Sequence, residues 1–259
     1  MPARVPEGPP PAPVVQRLRV HFARRGPLRF SSHRDFQRAF ERALRRADVP
    51  TAFSAGFTPH PKVSYAGAAP TGAASEAEYL EVGLAARRDP ARVREDLDAS
   101  LPPGLDVLEV VEAAPGSSLV ERLEASIYEI ALPGVDTATA AAAVDRFLAA
   151  GRVEVERATK NGIRRFDACA AVCRVTVSDR TGDGRVLAGA DRSGGGPCAI
   201  LRVVVRHSTP AVRPDDVLAA LRSVADLAPP VPPLVTRLAQ GPLDADTDGV
   251  SDPLAPDRA

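Results

Sequence analysis

The sequence has no tryptophan, one methionine and three cysteines, and aromatic residues make up 4% of its 259 residues. An odd number of so few cysteines argues against a disulfide framework. No apolar run is long enough to cross a bilayer, and the N-terminus lacks the basic and apolar segments of a signal peptide. We therefore expect a cytoplasmic protein that has no membrane partner.

Lysine is also scarce, because 31 of the 33 basic residues are arginine. The formal net charge is zero, yet the charges are unevenly placed. Residues 16–50 contain ten arginines and three acidic residues, about +7, whereas residues 71–131 contain thirteen acidic residues and five arginines, about −8. These segments predict that the basic side binds a polyanion and the acidic side binds a basic partner, or that the protein binds itself.

The most distinctive segment starts with a helical pattern. Ser32 and Asp35 have the spacing of a capping pair, and Pro50 ends the pattern. An apolar stripe recurs at helical spacing: Phe36, Ala39, Phe40, Ala43, Leu44 and Ala47. The opposite face carries four arginines: Arg34, Arg38, Arg42 and Arg45. Because few acidic residues lie nearby, this face favours an anionic partner such as a phosphate backbone. The alternative is an ordinary solvated face of an arginine-rich protein.

Further basic residues extend this anion-binding prediction. Lys62 follows a proline-rich turn, and Arg17 and Arg19 alternate with inward-facing residues of the first strand. The alternation would place both arginines on the open face of a sheet. Tyr65 and Tyr79 are the two aromatic residues that could stack on RNA bases there. The alternative is that a second module or a partner covers this face.

Two histidines are the candidates for catalysis. His60 lies between two prolines, where a rigid turn would display it for phosphate binding or proton transfer, unless the turn is only structural. His33 lies at the predicted helix start, where the helix dipole disfavours its cation.

The sequence predicts no metal and no cofactor. Cys169 and Cys173 have the spacing C-x3-C but lack the third cysteine of the cluster motif found in radical SAM enzymes. A three-thiol site that includes Cys198 stays open, although small buried thiols are the more common case.

The order of predicted elements divides the chain into two similar halves. Residues 16–113 have the order β-α-β-β-α-β, and residues 124–240 repeat it with an extra strand or long loop. This order is that of the ferredoxin-like unit, so we expect an α+β protein with two tandem ferredoxin-like modules and a linker near 114–123. The proline-rich residues 1–15 and the aspartate-rich residues 241–259 are predicted to be disordered.

A family resemblance is carried by the runs RFSSHRDFQRAFERALRRADVP and AFSAGFTPHPKVSYAGAAPTGAASEAEYLEVGL. They resemble the radical SAM-linked protein family, a domain of unknown function that occurs alone or fused to cobalamin-binding radical SAM proteins. The resemblance is strong over residues 16–113 and looser to about 240. It implies a radical SAM/cobalamin protein as a partner in trans, and it supplies no catalytic residues. The family's gene neighbours, which include ribonuclease and ribosomal-protein genes, point toward RNA.

Three functions are compatible with these observations. The favoured one is a non-catalytic RNA-binding or substrate-presenting protein that works with a radical SAM enzyme in RNA modification or processing. The second is a metal-independent endoribonuclease of tandem ferredoxin-like type that uses His60 or His33. The glycine-rich loop of the CRISPR endoribonucleases with this element order is absent, which weakens that hypothesis. The third is a protein-interaction scaffold.

Overall fold

A computed structural model describes residues 11–160, 162–179, 196–244, 246–247 and 249–258. The chain forms two compact units. Unit 1 contains the described residues of Met1–Thr71, Ala77–Glu121 and Leu254–Ala259, and unit 2 contains those of Gly72–Glu76 and Arg122–Pro253. Most of the predicted proline-rich segment and the turn-rich segment after residue 179 lie outside the described residues.

Twelve strands and five α-helices are defined within the described residues. The strands are β1 (Gln16–Arg24), β2 (Val63–Ala66), β3 (Ala74–Leu84), β4 (Leu105–Glu112), β5 (Ala125–Pro133), β6 (Glu154–Thr159), β7 (Gly162–Asp167), β8 (Val172–Ser178), β9 (Cys198–Arg206), β10 (Leu234–Gly241), β11 (Leu243–Asp244) and β12 (Gly249–Val250). The helices are α1 (His33–Arg46), α2 (Pro90–Ser100), α3 (Leu119–Arg122), α4 (Thr137–Ala150) and α5 (Pro214–Ala225). The predicted α+β class is confirmed.

Unit 1 is built on four strands in the hydrogen-bonded order β4-β1-β3-β2. β4 runs antiparallel to β1, and β2 runs antiparallel to β3. α1 and α2 pack on one face of these strands. The core between them includes Leu18, Val20, Phe22, Phe36, Phe40, Leu44, Val93 and Leu97. The predicted inward face of β1 and the predicted apolar stripe of α1 are therefore both confirmed.

Unit 2 has the strand order β10-β5-β9-β8, and each of these pairs is antiparallel. β10 also pairs in parallel with Ala74 and Ser75 at the start of β3. α4 and α5 cover one face of this sheet. Their shared core includes Ile130, Leu132, Phe147, Leu201, Val203, Val217 and Leu221. β6 and β7 form a separate hairpin.

Local sequence explains where the helices begin and end. The carboxylate of Asp89 accepts a hydrogen bond from the Ala91 amide at 3.3 Å, and that of Asp136 accepts one from the Thr139 amide at 2.8 Å. These caps satisfy amides that have no partner inside α2 and α4. α4 is followed by Gly151 at a φ of +63°, a value that favours glycine.

One strand was missed and one sequence prediction is corrected. β7 was not predicted, because its residues show no alternation of apolar and polar positions. The tail from residue 241 was predicted to be disordered, yet β11 pairs with β12 and Leu254 is fully buried. The five aspartates of the tail resemble a solvated run, but one of them, Asp257, forms a buried ion pair described below. Among the described residues, no helix is long and apolar enough to cross a membrane.

Candidate functional site

The exposed face of α1 carries five arginines. All four predicted arginines are exposed, namely Arg34, Arg38, Arg42 and Arg45. Arg46 is exposed as well. None of the five forms a salt bridge or hydrogen bond through its side chain with another residue of the described ranges. Like charges four residues apart cost a helix about 0.2–0.5 kcal/mol per pair. Helix stability therefore does not account for this arrangement, which we call the arginine face.

The orientation of the arginine face is fixed by the cap and the core. The Ser32 hydroxyl accepts a hydrogen bond from the Asp35 amide at 3.3 Å and donates one to the Asp35 carboxylate at 2.7 Å. That hydroxyl, with Arg38 and Arg34 nearby, lowers the pKa of Asp35. On the opposite side of α1, the ring of Phe40 packs against that of Phe22, with 4.5 Å between the two ring centroids. A helix anchored in this way cannot rotate its arginines toward the core.

Exposed aromatic rings lie in the segments that flank α1 in sequence. Phe30, just before the helix, is 61% exposed, and the Arg29 guanidinium lies 4.7 Å from its ring centroid. Phe57, in the loop between α1 and β2, is 70% exposed. Sequence reasoning missed both rings, although each lies in a segment rich in glycine, serine and proline rather than at a periodic core position.

The two tyrosines predicted to stack on bases are not placed for that role. Tyr79 is only 5% exposed, and its ring stacks on that of His21 at 4.7 Å. The Tyr65 ring packs against His33 and Phe36, and its buried hydroxyl has no hydrogen-bond partner within the described residues. Burial raises the pKa of Tyr65. These residues fill contacts of unit 1, which corrects the stacking prediction.

The remaining residues of the predicted site divide into exposed and buried groups. His33 is exposed, and its Nε2 lies 3.1 Å from the Gln37 amide nitrogen. His60 and Lys62 are exposed near the end of the turn, which is closed by a 2.8 Å hydrogen bond from the Ser54 amide to the His60 carbonyl. The turn thus holds the His60 backbone and leaves its ring at the surface.

The structure does not place Arg17 and Arg19 as the unpaired arginines of an open face that the sequence predicted. Arg17 is exposed, but it pairs with Glu81 at 3.1 Å. Arg19 is fully buried, and its guanidinium contacts Glu81 at 3.2 Å, Asp257 at 2.7 Å and the Ser117 carbonyl at 2.6 Å. All of these contacts lie within unit 1. Arg19 is therefore a structural residue and not an RNA contact, because its donors are occupied and removed from solvent.

Unit 2 contains a hydrogen-bonded pair of His207 and Ser126 that sequence reasoning did not identify. His207 Nδ1 lies 2.6 Å from the Leu123 carbonyl oxygen, so it donates, and its neutral Nε2 accepts a hydrogen bond from the Ser126 hydroxyl at 2.8 Å. A serine nucleophile and the histidine that acts as its general base can have this arrangement. Ser126 is buried, however, so its oxygen is not presented to a substrate. The only signal in the sequence is a serine in a strand that otherwise predicts core residues.

His207 should make stability depend on pH. Burial lowers its pKa, the Leu123 carbonyl opposes this, and the nearby Arg237 adds to the lowering. The unfolded state then binds more protons, so this contribution is complete above about pH 6.5 and is lost as pH falls toward the folded-state pKa. We expect the free energy of unfolding in urea to decrease between about pH 7 and pH 5.5. His207→Gln should reduce that decrease. A slope of stability against pH that is unchanged in His207→Gln would contradict the assignment.

The three cysteines are free thiols that are partly buried. Burial raises the pKa of Cys169, with the Asp167 carboxylate adding to the effect. A raised pKa disfavours the thiolate that metals and electrophiles require. Over the described ranges, no group of three or more metal-binding side chains is placed to hold an ion.

The residues of both units can be compared with known sequence families. The model of a bacterial family, described as uncharacterized protein conserved in bacteria (DUF2344), matches residues 17–214 of the 259. The chain belongs to this family. The matched range contains the whole arginine face and extends from β1 to the first residue of α5; it excludes Asp257. A comparison with curated proteins finds no match.

Proposed function

We propose that this protein binds RNA through the arginine face and presents it to a partner enzyme, without catalysing a reaction itself. The observation that carries the proposal is that five exposed arginines of one helix form no ion pair with any described residue. Elsewhere in unit 1 arginines meet carboxylates, as Arg17 meets Glu81 and Arg25 meets Asp106 at 2.8 Å. The high arginine content of the chain therefore does not by itself produce unpaired arginines.

The exposed rings favour RNA over an acidic protein as the anion. Phe30 and Phe57 offer flat apolar surfaces near the arginine face in sequence, and Arg29 already stacks on Phe30. Single-stranded nucleic acids bind where cationic side chains contact phosphates and aromatic rings stack on bases. Both kinds of contact are independent of base identity, so we expect weak sequence preference.

The proposal extends to the partner and to the fold. A cobalamin-type radical SAM protein, acting in trans in the cytoplasm on RNA modification or processing, is the partner that the family resemblance supports. Two tandem ferredoxin-like modules are supported by the β-α-β-β-α-β order of unit 1, which unit 2 repeats with the β6–β7 hairpin inserted after α4. In both units the four strands of the module lie in the order fourth-first-third-second. The partner is tested by asking whether such an enzyme co-purifies with the full chain. If RNA is required for the complex, an arginine-face variant should recover less of the enzyme.

The direct test is binding of a fluorescent single-stranded RNA of about 12 nucleotides, followed by anisotropy at several salt concentrations. If the four predicted arginines each contact a phosphate, they should contribute about −2.8, which is four times −0.7, to the slope of log K against log salt. The RNA should be recovered intact after incubation. A slope near zero would contradict the proposal. Cleavage that persists with a chelator and is lost in His60→Ala would instead establish a nuclease.

A further inference from the structure

The sheet of unit 2 has one face that its helices do not cover. Residues 201, 203 and 205 of β9 point into the core beneath α4 and α5, so the alternate residues of β9 point to the opposite face. The same alternation holds in β5 and β8. The side chains on this open face of unit 2 include Ile127, Arg174, Thr176, Arg202 and Val204.

These five side chains line one cavity of about 350 Å³, together with Thr247 and Gly249. Ile127 and Val204 form a buried apolar floor, and Leu243 and Val250 of the β11–β12 hairpin pack against the same small cluster, so the hairpin covers part of this face. The polar lining is supplied by the two arginines and the hydroxyl of Thr176. A cavity with an apolar floor and a few convergent polar groups is the usual form of a ligand site.

The arginines of the open face have few carboxylate neighbours. Arg202 and the next arginine on this face, Arg206, are exposed and form no ion pair with a described residue. Arg174 is exposed and donates to the Thr247 carbonyl at 3.1 Å, which leaves other guanidinium donors available. In the turn that contains Thr247, the Asp244 carboxylate accepts hydrogen bonds from the backbone amides of Asp246 and Thr247, and the side chain of Asp246 is exposed.

One carboxylate does share the sheet positions of these arginines. Glu129 on β5 is the register partner of Arg202 on β9, and it is half-buried. Even with Glu129 ionised, three arginines face one carboxylate on β5, β8 and β9. These three strands therefore contribute a net positive charge to the open face of unit 2.

The corresponding face of unit 1 shows that such arginines can be neutralised. There Arg17 and Arg19 both meet Glu81, Arg19 also meets Asp257, and Arg258 meets Glu109. Every arginine named on that face has a carboxylate partner. The same topology thus occurs twice, and only the open face of unit 2 presents arginines without such partners.

We propose that the open face of unit 2 is a second surface of this protein that binds phosphate groups of single-stranded RNA. This inference rests on the proposed function. Two guanidinium groups above an apolar floor suit one phosphate and the sugar beside it, since arginine binds phosphate in a bidentate manner. None of the five defining side chains is aromatic, so this contact reads the backbone and not the bases.

The test is protection of individual arginines from phenylglyoxal in the full chain, read by mass spectrometry. A single-stranded RNA of about 12 nucleotides should slow the modification of Arg174 and Arg202 several-fold. It should leave Arg146 of α4 and Arg222 of α5 unchanged, because both are exposed on helices of the covered face. Polyglutamate of equal charge should not protect; equal protection by polyglutamate would overturn the choice of RNA in favour of an acidic protein.

Binding variants supply the second readout. The double variant Arg174→Gln with Arg202→Gln should make the slope of log K against log salt less negative by about 1.4. It should also lower RNA affinity at about 0.1 M salt by about 25-fold. Arg146→Gln with Arg222→Gln changes the net charge equally and should have little effect. Unprotected Arg174 and Arg202, with affinity equal to that of the control, would overturn the inference.

The two RNA contacts can fail separately. In Arg38→Glu with Arg42→Glu, protection of Arg174 and Arg202 should persist at higher RNA concentrations. Protection of Arg174 and Arg202 without protection of the α1 arginines would support the open face and refute the arginine face. The reverse pattern would refute the open face alone.

Discussion

Replacing Arg38 and Arg42 with glutamate is expected to weaken RNA binding by more than about 25-fold while leaving the fold intact. At about 0.1 M salt, release of counterions makes each phosphate contact worth about fivefold in affinity for a single strand. Loss of two contacts therefore costs about 25-fold, and reversal of the charge costs more. The fold should survive, because both side chains are exposed and opposite the core residues Phe36 and Phe40.

Anisotropy titration of a fluorescent RNA measures this effect, and circular dichroism checks the fold. Arg146→Glu with Arg222→Glu is the matched control, since it changes the net charge by the same amount on α4 and α5. If the control weakens binding as much as the α1 variant does, the loss reflects overall charge and the arginine face has no specific role. If neither variant weakens binding, α1 is not an RNA contact.

Asp257→Ala is expected to destabilise unit 1 by about 3 kcal/mol, which is the lower end of the range for breaking a buried ion pair. Both partners of this pair are fully buried, and the Asp257 carboxylate also accepts a hydrogen bond from the Ala114 amide at 2.9 Å. Its loss leaves Arg19 with Glu81 as its remaining carboxylate. We therefore expect a smaller decrease in the free energy of unfolding than if Arg19 were left without any carboxylate partner.

Urea unfolding, with amide hydrogen exchange in β1 as a local probe, measures the change. Arg258→Ala is the control, because the Arg258–Glu109 pair is half-exposed and such pairs contribute about 0–1 kcal/mol. Replacing both buried partners, Arg19→Met with Asp257→Leu, should restore much of the lost stability, since no buried charge is then left alone. A loss below about 1 kcal/mol in Asp257→Ala would show that Glu81 alone satisfies Arg19.

Local patterns in the sequence predicted the parts of the structure that depend on neighbouring residues. The capped amphipathic helix α1 follows from Ser32, Asp35 and the spacing of its phenylalanines, and its exposed arginines follow from the same periodicity. The bounds of α2 and α4 are set by caps and by Gly151, which are also local signals. The candidate site on α1 was therefore accessible to sequence reasoning.

Contacts between distant residues were not accessible in this way. Arg19 and Arg38 are both arginines in regular periodic patterns, and only the fold shows that Asp257, 238 residues from Arg19, neutralises one of them. Tyr65 follows a proline-rich turn and so resembles an exposed residue, but three side chains of α1 cover its ring: His33, Phe36 and Phe40. The identity of each residue is local information, whereas its exposure depends on the whole chain.

The pairing of Arg19 with Asp257 has a consequence for the order of events on the ribosome. Because unit 1 includes residues from 254 onward, its last contacts form only after all of unit 2 has been translated. At 5–20 residues per second, the 238 residues between the two partners take roughly 12–48 s to synthesise. During that interval the nascent N-terminal half carries Arg19 without Asp257, although the apolar core of unit 1 lies between Leu18 and Val110 and is already translated. Formation of this buried ion pair is therefore a late step in the maturation of unit 1, after its apolar core can assemble.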